Sequence, residues 1–197
     1  MPQDKVKRLK RILAGMGRVL VGFSGGVDSA FLSCVAHRAL GDKCLAVTAV
    51  TDFLPRHEAQ DARRLAHKLG LRHAAVRIEL PRRCLANPVD RCYHCKKKIF
   101  SALARLAKAK DIPWVIDGSN RDDLGESRPG KKALIELGVR SPLQEAGLTK
   151  EDIRGSARQM GIDVWNKPAC TCLATRIPFG HRITDRKLAM IDRAEEI

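Results

Sequence analysis

A chain of 197 residues can bury one substantial core with room for part of a second, and its formal charge of +15 gives an attractive field for a polyanion, a nucleotide or an acidic partner. An aromatic content of 4% argues against a protein that stacks single-stranded bases on exposed rings. No apolar run approaches the roughly 18 residues of a spanning helix, and the basic amino-terminal stretch lacks a signal-peptide block. No membrane contact and a cytoplasmic setting are therefore expected, with the seven cysteines serving as thiols or metal ligands rather than a disulfide framework.

Val6, Leu9, Ile12 and Leu13 recur at helical spacing among basic residues and predict an amphipathic helix that Gly15 and Gly17 end. Val19 to Phe23 is a short apolar run that predicts a buried strand entering a tight turn at Ser24-Gly25-Gly26. A helix is expected from Asp28 to Leu40, a strand over residues 44–50, a helix over 57–69 stopped by Gly70, and a third strand over 73–80. A basic helix over 95–110 and a fourth strand at Trp114-Val115-Ile116 follow. Strand and helix alternate throughout, which implies an α/β fold, a doubly wound parallel sheet with ligands at the carboxyl ends of its strands.

After Gly118 the chain reads as turns across residues 120–130, a connector at Ser141-Pro142-Leu143, and a helix that Thr149 and Asp152 open with a capping-box-like pair and Gly161 stops. A loop over 168–180 and a helix over 184–196 complete the chain. Residues 1–140 are expected to form the main domain and residues 141–197 a smaller carboxyl-terminal region.

Ser24-Gly25-Gly26-Val27-Asp28-Ser29 is the strongest motif. Adjacent glycines let successive N–H groups converge on one anion while the next helix presents its positive end, and Ser24 and Ser29 add hydroxyls. Asp28 suits Mg²⁺ or the organisation of the loop better than direct contact with phosphate. The same letters occur in plain turns, but here they lie between a strand and a helix. The chain has neither the Walker lysine nor the Rossmann glycine spacing, which fits a nucleotide cleaved between its α- and β-phosphates.

The loop resembles that of the PP-loop ATP-pyrophosphatases. Asp117-Gly118-Ser119-Asn120-Arg121-Asp122-Asp123, Arg128-Pro129-Gly130, Ser141-Pro142-Leu143, Lys150 with Ile153-Arg154, Lys167-Pro168-Ala169 and Cys172-Leu173-Ala174-Thr175-Arg176 resemble the LarE branch, ATP-dependent sulfur insertases for the nickel-pincer nucleotide. The resemblance implies that Ser24, Gly25, Gly26, Val27, Asp28 and Ser29 hold the triphosphate of ATP with Mg²⁺. It also implies that Val47 and Gly118 flank adenine and ribose through the main chain, and that Arg128 belongs to the nucleotide site. Arg63 is open between a phosphate contact and a solvated helix arginine. Arg176, Arg128 and Arg121 are open between binding substrate carboxylates or phosphate and internal ion pairs with Asp122, Asp123 or Glu126.

Cys34 and Cys44 read as inert buried thiols, and Cys84 stands alone in a loop-like stretch. Cys92 and Cys95 form a C-x-x-C pair that begins a helix, where thiol pKa falls. By resemblance Cys172 either donates its own sulfur or joins Cys92 and Cys95 in holding a [4Fe-4S] cluster, with Cys170 as an alternate ligand. A zinc site with Cys170 or His94, a redox pair and inert thiols stay open. The implied catalytic residues are Cys172, Asp28 and Arg176. The implied reaction adenylates a carboxylate of pyridinium-3,5-biscarboxylic acid mononucleotide and replaces AMP by sulfur, in a homo-oligomer that has no nucleic-acid partner. The alternatives are a tRNA thiolase with the same loop and a non-catalytic ATP- or zinc-binding protein.

Overall fold

Val19, Leu20 and Val21 are each wholly buried, which a strand achieves when helices cover both faces of its sheet. The computed structural model describes residues 2–125 and 129–195. Helix α1 (Pro2–Met16) leads into strand β1 (Val19–Gly22), helix α2 (Val27–Leu40), strand β2 (Cys44–Val50), helix α3 (Arg56–Lys68) and strand β3 (His73–Arg77). A short helix α4 (Arg82–Leu85), the long α5 (Arg91–Ala109) and strand β4 (Trp114–Ile116) follow, then α6 (Pro129–Glu136), α7 (Pro142–Glu145), α8 (Lys150–Gln159) and α9 (Asp185–Glu195).

The strands are parallel in the order β3-β2-β1-β4. The chain moves outward from β1 to β2 and β3, then returns to the other side of β1 for β4, so the order reverses between β1 and β4. A crevice opens at the carboxyl ends of such a pair. Side chains alternate across the sheet: Val19 and Val21 pack with Leu9, Leu13, Phe31 and Leu32 of α1 and α2, whereas Leu20 packs with Phe100, Leu103 and Leu134 of α5 and α6. Each such buried side chain contributes about 2 kcal/mol.

The first core continues past position 140, since Leu143, Leu148, Ile153 and Ile162 belong to it. A separate smaller cluster gathers Phe53, Cys84, Leu173, Ala174, Ile177, Ile183 and Leu188, with Cys95 and Cys172 packed against it.

The short helices α4 and α7 form where a loop-like stretch and a connector are expected, and three further elements differ from expectation. Strand β3 stops at Arg77 because its partner β2 stops at Val50, the residue opposite. Helix α5 begins at Arg91, so both Cys92 and Cys95 lie within it. Residues 129–136 form α6 where turns were expected up to 130. Proline is tolerated in a first helical turn, and Gly130 lies over the flexible side chain of Lys96 on α5, 2.8 Å from Cδ to where a Cβ would stand. Among the described residues no helix is long and apolar enough to cross a membrane.

Candidate active site

Strand β1 delivers the chain to Ser24 at the reversal point. Gly25 has φ +80°, and a Cβ there would lie 3.1 Å from Ala62 of α3, so backbone conformation and space both require glycine. Ser29 Oγ donates to the Gly26 carbonyl (3.0 Å) and accepts from the Ser24 amide (3.2 Å). With its only hydrogen committed, Ser29 accepts again from Ser24 Oγ at 3.1 Å, while Ser24 Oγ accepts from the Gly26 amide at 3.4 Å. Gly26 caps α2 without a side chain, which leaves the helix N-terminus open to an anion. Val27 is buried in the core and offers the site only its backbone.

Asp28 faces the cleft from the first turn of α2. Its Oδ2 pairs with Lys150 Nζ, and its Oδ1 is buried without a hydrogen-bond partner. Lys150 is delivered by local chemistry. Asp152 N–H donates to Thr149 Oγ1 (3.2 Å) and Thr149 N–H donates to Asp152 Oδ2 (3.0 Å), a reciprocal cap that fixes the start of α8. Gly118, just beyond β4, passes so close that a Cβ would lie 3.1 Å from the Ser29 amide nitrogen. Beside it the buried Asp117 accepts from Ser119 Oγ (2.5 Å) and Ser141 Oγ (2.6 Å), which joins the β4 turn to the Ser141 connector.

These groups line a cleft of about 910 Å³ that also takes in Val47, Thr48, Lys96, Phe100 and Ala169. The Val47 carbonyl accepts from the Phe23 amide at 2.8 Å, so part of its main-chain capacity is used within the sheet. Thr48 Oγ1 donates to the Phe23 carbonyl (2.8 Å) and must therefore accept from His73 Nε2 (2.8 Å), which fixes the tautomer of that ring. Burial holds His73 below its ordinary pKa, and the charge of the exposed Arg63 adds to the effect.

The thiols form a second locus outside the cleft lining, in and against the smaller apolar cluster. Burial pushes Cys95 up to about 12, with Cys84, Cys172 and Cys92 adding to the rise, and burial also raises Cys172. Cys84, Cys92, Cys95 and Cys172 thus share one neighbourhood. Cys170 points elsewhere: burial pushes it up to about 11, and its charged neighbours are Glu58, Lys167 and Glu195. Among the described residues no three His, Cys, Asp or Glu side chains are grouped to hold a single metal ion.

Residues 4–107 match the NAD synthase family. Over 195 residues the chain is 34% identical to the pyridinium-3,5-bisthiocarboxylic acid mononucleotide synthase of Lactiplantibacillus plantarum, spanning 98% of this chain and 71% of that protein. The chain belongs to the LarE-type PP-loop family. As a LarE-type protein it is an ATP-dependent sulfurtransferase. It is also 40% identical to an uncharacterized protein of Synechocystis (99% of this chain, 74% of that one). More distantly, it is 29% identical to the glutamine-hydrolyzing GMP synthase of Aliivibrio fischeri (81% of this chain, 35% of that one).

Within this LarE-type site the structure brings Ser24, Gly26, Asp28, Ser29, Val47 and Gly118 to one cleft. Arg63 lies outside its lining, and Arg128 lies outside the described residues. Arg176 is engaged internally, its Nε 2.6 Å from Glu195 Oε1 and its Nη1 on Thr171 and Thr175 hydroxyls. Sequence reasoning missed the Asp117 and Lys150 contacts and the approach of Cys84 and Arg91 to the other thiols. The Lys150 contact had one usable signal, the cap at Thr149 that sets the helix start.

Proposed function

We propose that the chain adenylates a carboxylate of pyridinium-3,5-biscarboxylic acid mononucleotide and converts it to a thiocarboxylate, as a step in building the nickel-pincer nucleotide. One observation carries the reading: the elements that bear the thiols also line the nucleotide cleft. Lys96 follows Cys95 on α5, and Ala169 lies three residues before Cys172; both side chains face the cleft that holds the phosphate loop.

In this reaction a substrate carboxylate oxygen attacks the α-phosphorus of ATP, the bond to the β-phosphate breaks, and pyrophosphate leaves. The open amides at the N-terminus of α2 hold the phosphates, Ser24 and Ser29 brace the loop, and Lys150 neutralises charge on the leaving group. The buried, unpartnered Oδ1 of Asp28 fits a hard cation, and Mg²⁺ held there would neutralise phosphate charge. A sulfur anion then attacks the acyl carbon of the adenylate, and AMP departs with the electron pair of the broken carbon–oxygen bond.

The cysteines of an iron–sulfur cluster bind separate irons, and Cys95 and Cys172 pack with Cys84 against one apolar cluster, which brings α5 and the Cys172 turn together. Cys92, Cys95 and Cys172 would hold a [4Fe-4S] cluster, which would supply a transferable sulfide. Residues 141–197 contribute the segment with Cys172. A cytoplasmic setting, where the seven cysteines would stay reduced, and a homo-oligomeric assembly complete the reading.

The test is to incubate anaerobically purified protein with MgATP and the biscarboxylated nucleotide, and to follow pyrophosphate, AMP and the exchange of oxygen for sulfur in the product by mass spectrometry. Acceptor-dependent pyrophosphate release with a thiocarboxylate product is expected. Release stimulated instead by tRNA in a salt-sensitive manner would assign the chain to RNA thiolation.

A further inference from the structure

Arg91 is the first residue of α5 and is only 3% exposed. Its contacts are neutral. Nη1 donates to Asn87 Oδ1 and to the Ala174 carbonyl (2.9 Å), and the guanidinium lies 5.3 Å from the centre of the Phe179 ring. The adjacent acid, Asp90, is committed to His94 Nε2 at 2.9 Å, and among the described residues no carboxylate pairs with Arg91. An arginine remains charged throughout the pH range of proteins, and a buried cation is costly without a counter-charge.

Its position indicates what the charge faces. Arg91 precedes Cys92, shares α5 with Cys95, and bonds to Ala174 in the turn that Cys172 caps. Asn87, held at φ 56°, donates Nδ2 to the carbonyls of Ile177 (3.1 Å), Pro178 (2.8 Å) and His181 (3.2 Å). Asn87 and Arg91 together pin the Cys172 turn onto the helix that bears Cys92 and Cys95.

We propose that Arg91 supplies the counter-charge for the anionic sulfur carried at Cys172 and its neighbours, as a positioning residue for the sulfur step. This rests on the sulfur-transfer reading, since a thiolate, a persulfide and a sulfide are all anions in their reactive forms.

The test alkylates the whole protein, without ATP or acceptor, using iodoacetate, an anion, and iodoacetamide, its neutral counterpart, and reads each cysteine by peptide mass mapping. The thiolate fraction enters both rates equally, so their ratio reports the local potential. In the wild type the iodoacetate-to-iodoacetamide ratio is expected to be several-fold higher at Cys172 than at Cys170, whose neighbours include Glu58 and Glu195. R91M should lower the Cys172 ratio by about fivefold or more, and R91K should keep it within about twofold of wild type. A ratio unchanged in R91M, or one that falls as far in R91K as in R91M, overturns the proposal. Should R91M fail to fold, the wild-type contrast decides, and equal ratios at Cys172 and Cys170 overturn it. No turnover enters this assay, so its failure leaves sulfur transfer to be judged by the product, and failure of the product assay leaves the local charge to be judged here.

Discussion

Lys150 closes on Asp28 across 122 positions of sequence, its Nζ seated on Oδ2 at the mouth of the phosphate loop. The two side chains are 35% and 23% exposed, and an ion pair of that exposure contributes about 0–1 kcal/mol to stability. On the proposed reading the value of the contact lies in placing a cation where pyrophosphate departs and in orienting the carboxylate. Lys150→Met should lower ATP–pyrophosphate exchange by about 10- to 100-fold while shifting folding stability by less than about 1 kcal/mol. Asp28→Asn should cost about 100-fold or more, and the double variant should be no worse than Asp28→Asn alone. Costs that simply multiply in the double variant would show that the two residues act independently.

Gly25 and Gly41 both have positive φ, at 80° and 58°, but they differ in surroundings. A Cβ at Gly41 meets nothing within 4 Å, whereas one at Gly25 meets Ala62 at 3.1 Å. Gly41→Ala, with φ 58° and ψ −132° in a region that non-glycine residues seldom enter, should cost only that conformational term of about 1–3 kcal/mol and leave ATP affinity intact. Gly25→Ala should cost more than that and weaken ATP binding at least tenfold, because the loop must leave α3 to make room. Urea unfolding and calorimetric ATP titration of both variants check this, and equal ATP affinities would contradict it.

His73 gives stability a pH dependence whose sign follows from its lowered pKa. Above the unfolded value of about 6.5 both states hold a neutral ring and the group contributes no slope. Below it the unfolded chain takes up a proton that the folded chain resists, so stability falls until the folded pKa is passed. His73→Gln should flatten the loss of stability between about pH 6.5 and 5, and Arg63→Gln should flatten it in part by removing the second cause of the shift. Urea midpoints at both pH values, with a proton NMR titration of the ring, measure the effect; a His73 that titrates at its ordinary value would contradict it.

On the proposed reading the cleft carries the adenylation and the thiols the sulfur step, so variants should separate the two halves. Cys172→Ser should abolish thiocarboxylate formation while ATP–pyrophosphate exchange continues, and Cys92→Ser and Cys95→Ser should behave alike if the three act as one set. Parallel product and exchange assays, with iron and acid-labile sulfide counted for each variant, make the comparison. Loss of exchange in all three would place the thiols in the adenylation step instead.

The four strands and the phosphate loop were legible in the sequence because both are local. A β-branched run followed by Ser-Gly-Gly and a helical pattern needs no distant residue to define it. Helix α6 was hidden because Pro129-Gly130 reads as a breaker, although proline is tolerated in a first helical turn. The thiol neighbourhood was legible only in part. Cys92 and Cys95 announce themselves by spacing, whereas Cys84 reaches them only through the packing of the third cluster, and the Arg91 contact with Ala174 spans 83 positions. Lys150 illustrates both sides: its cap is written in four consecutive residues, but nothing nearby in sequence names Asp28.

Helix α3 carries two attachments within a single turn. Ala62 is the surface against which Gly25 of the phosphate loop rests, and Glu58, four residues earlier, holds Lys167 at 2.7 Å near the start of the segment that leads to Cys172. Residues four apart on a helix are about 6 Å apart along its axis. The helix thus acts as a ruler, with the triphosphate mark and the sulfur-segment mark engraved one turn apart. Its gauge is set by backbone hydrogen bonds, so side-chain replacements along α3 leave it unchanged, while inserting or deleting one residue between 58 and 62 would rotate one mark about 100° away from the other.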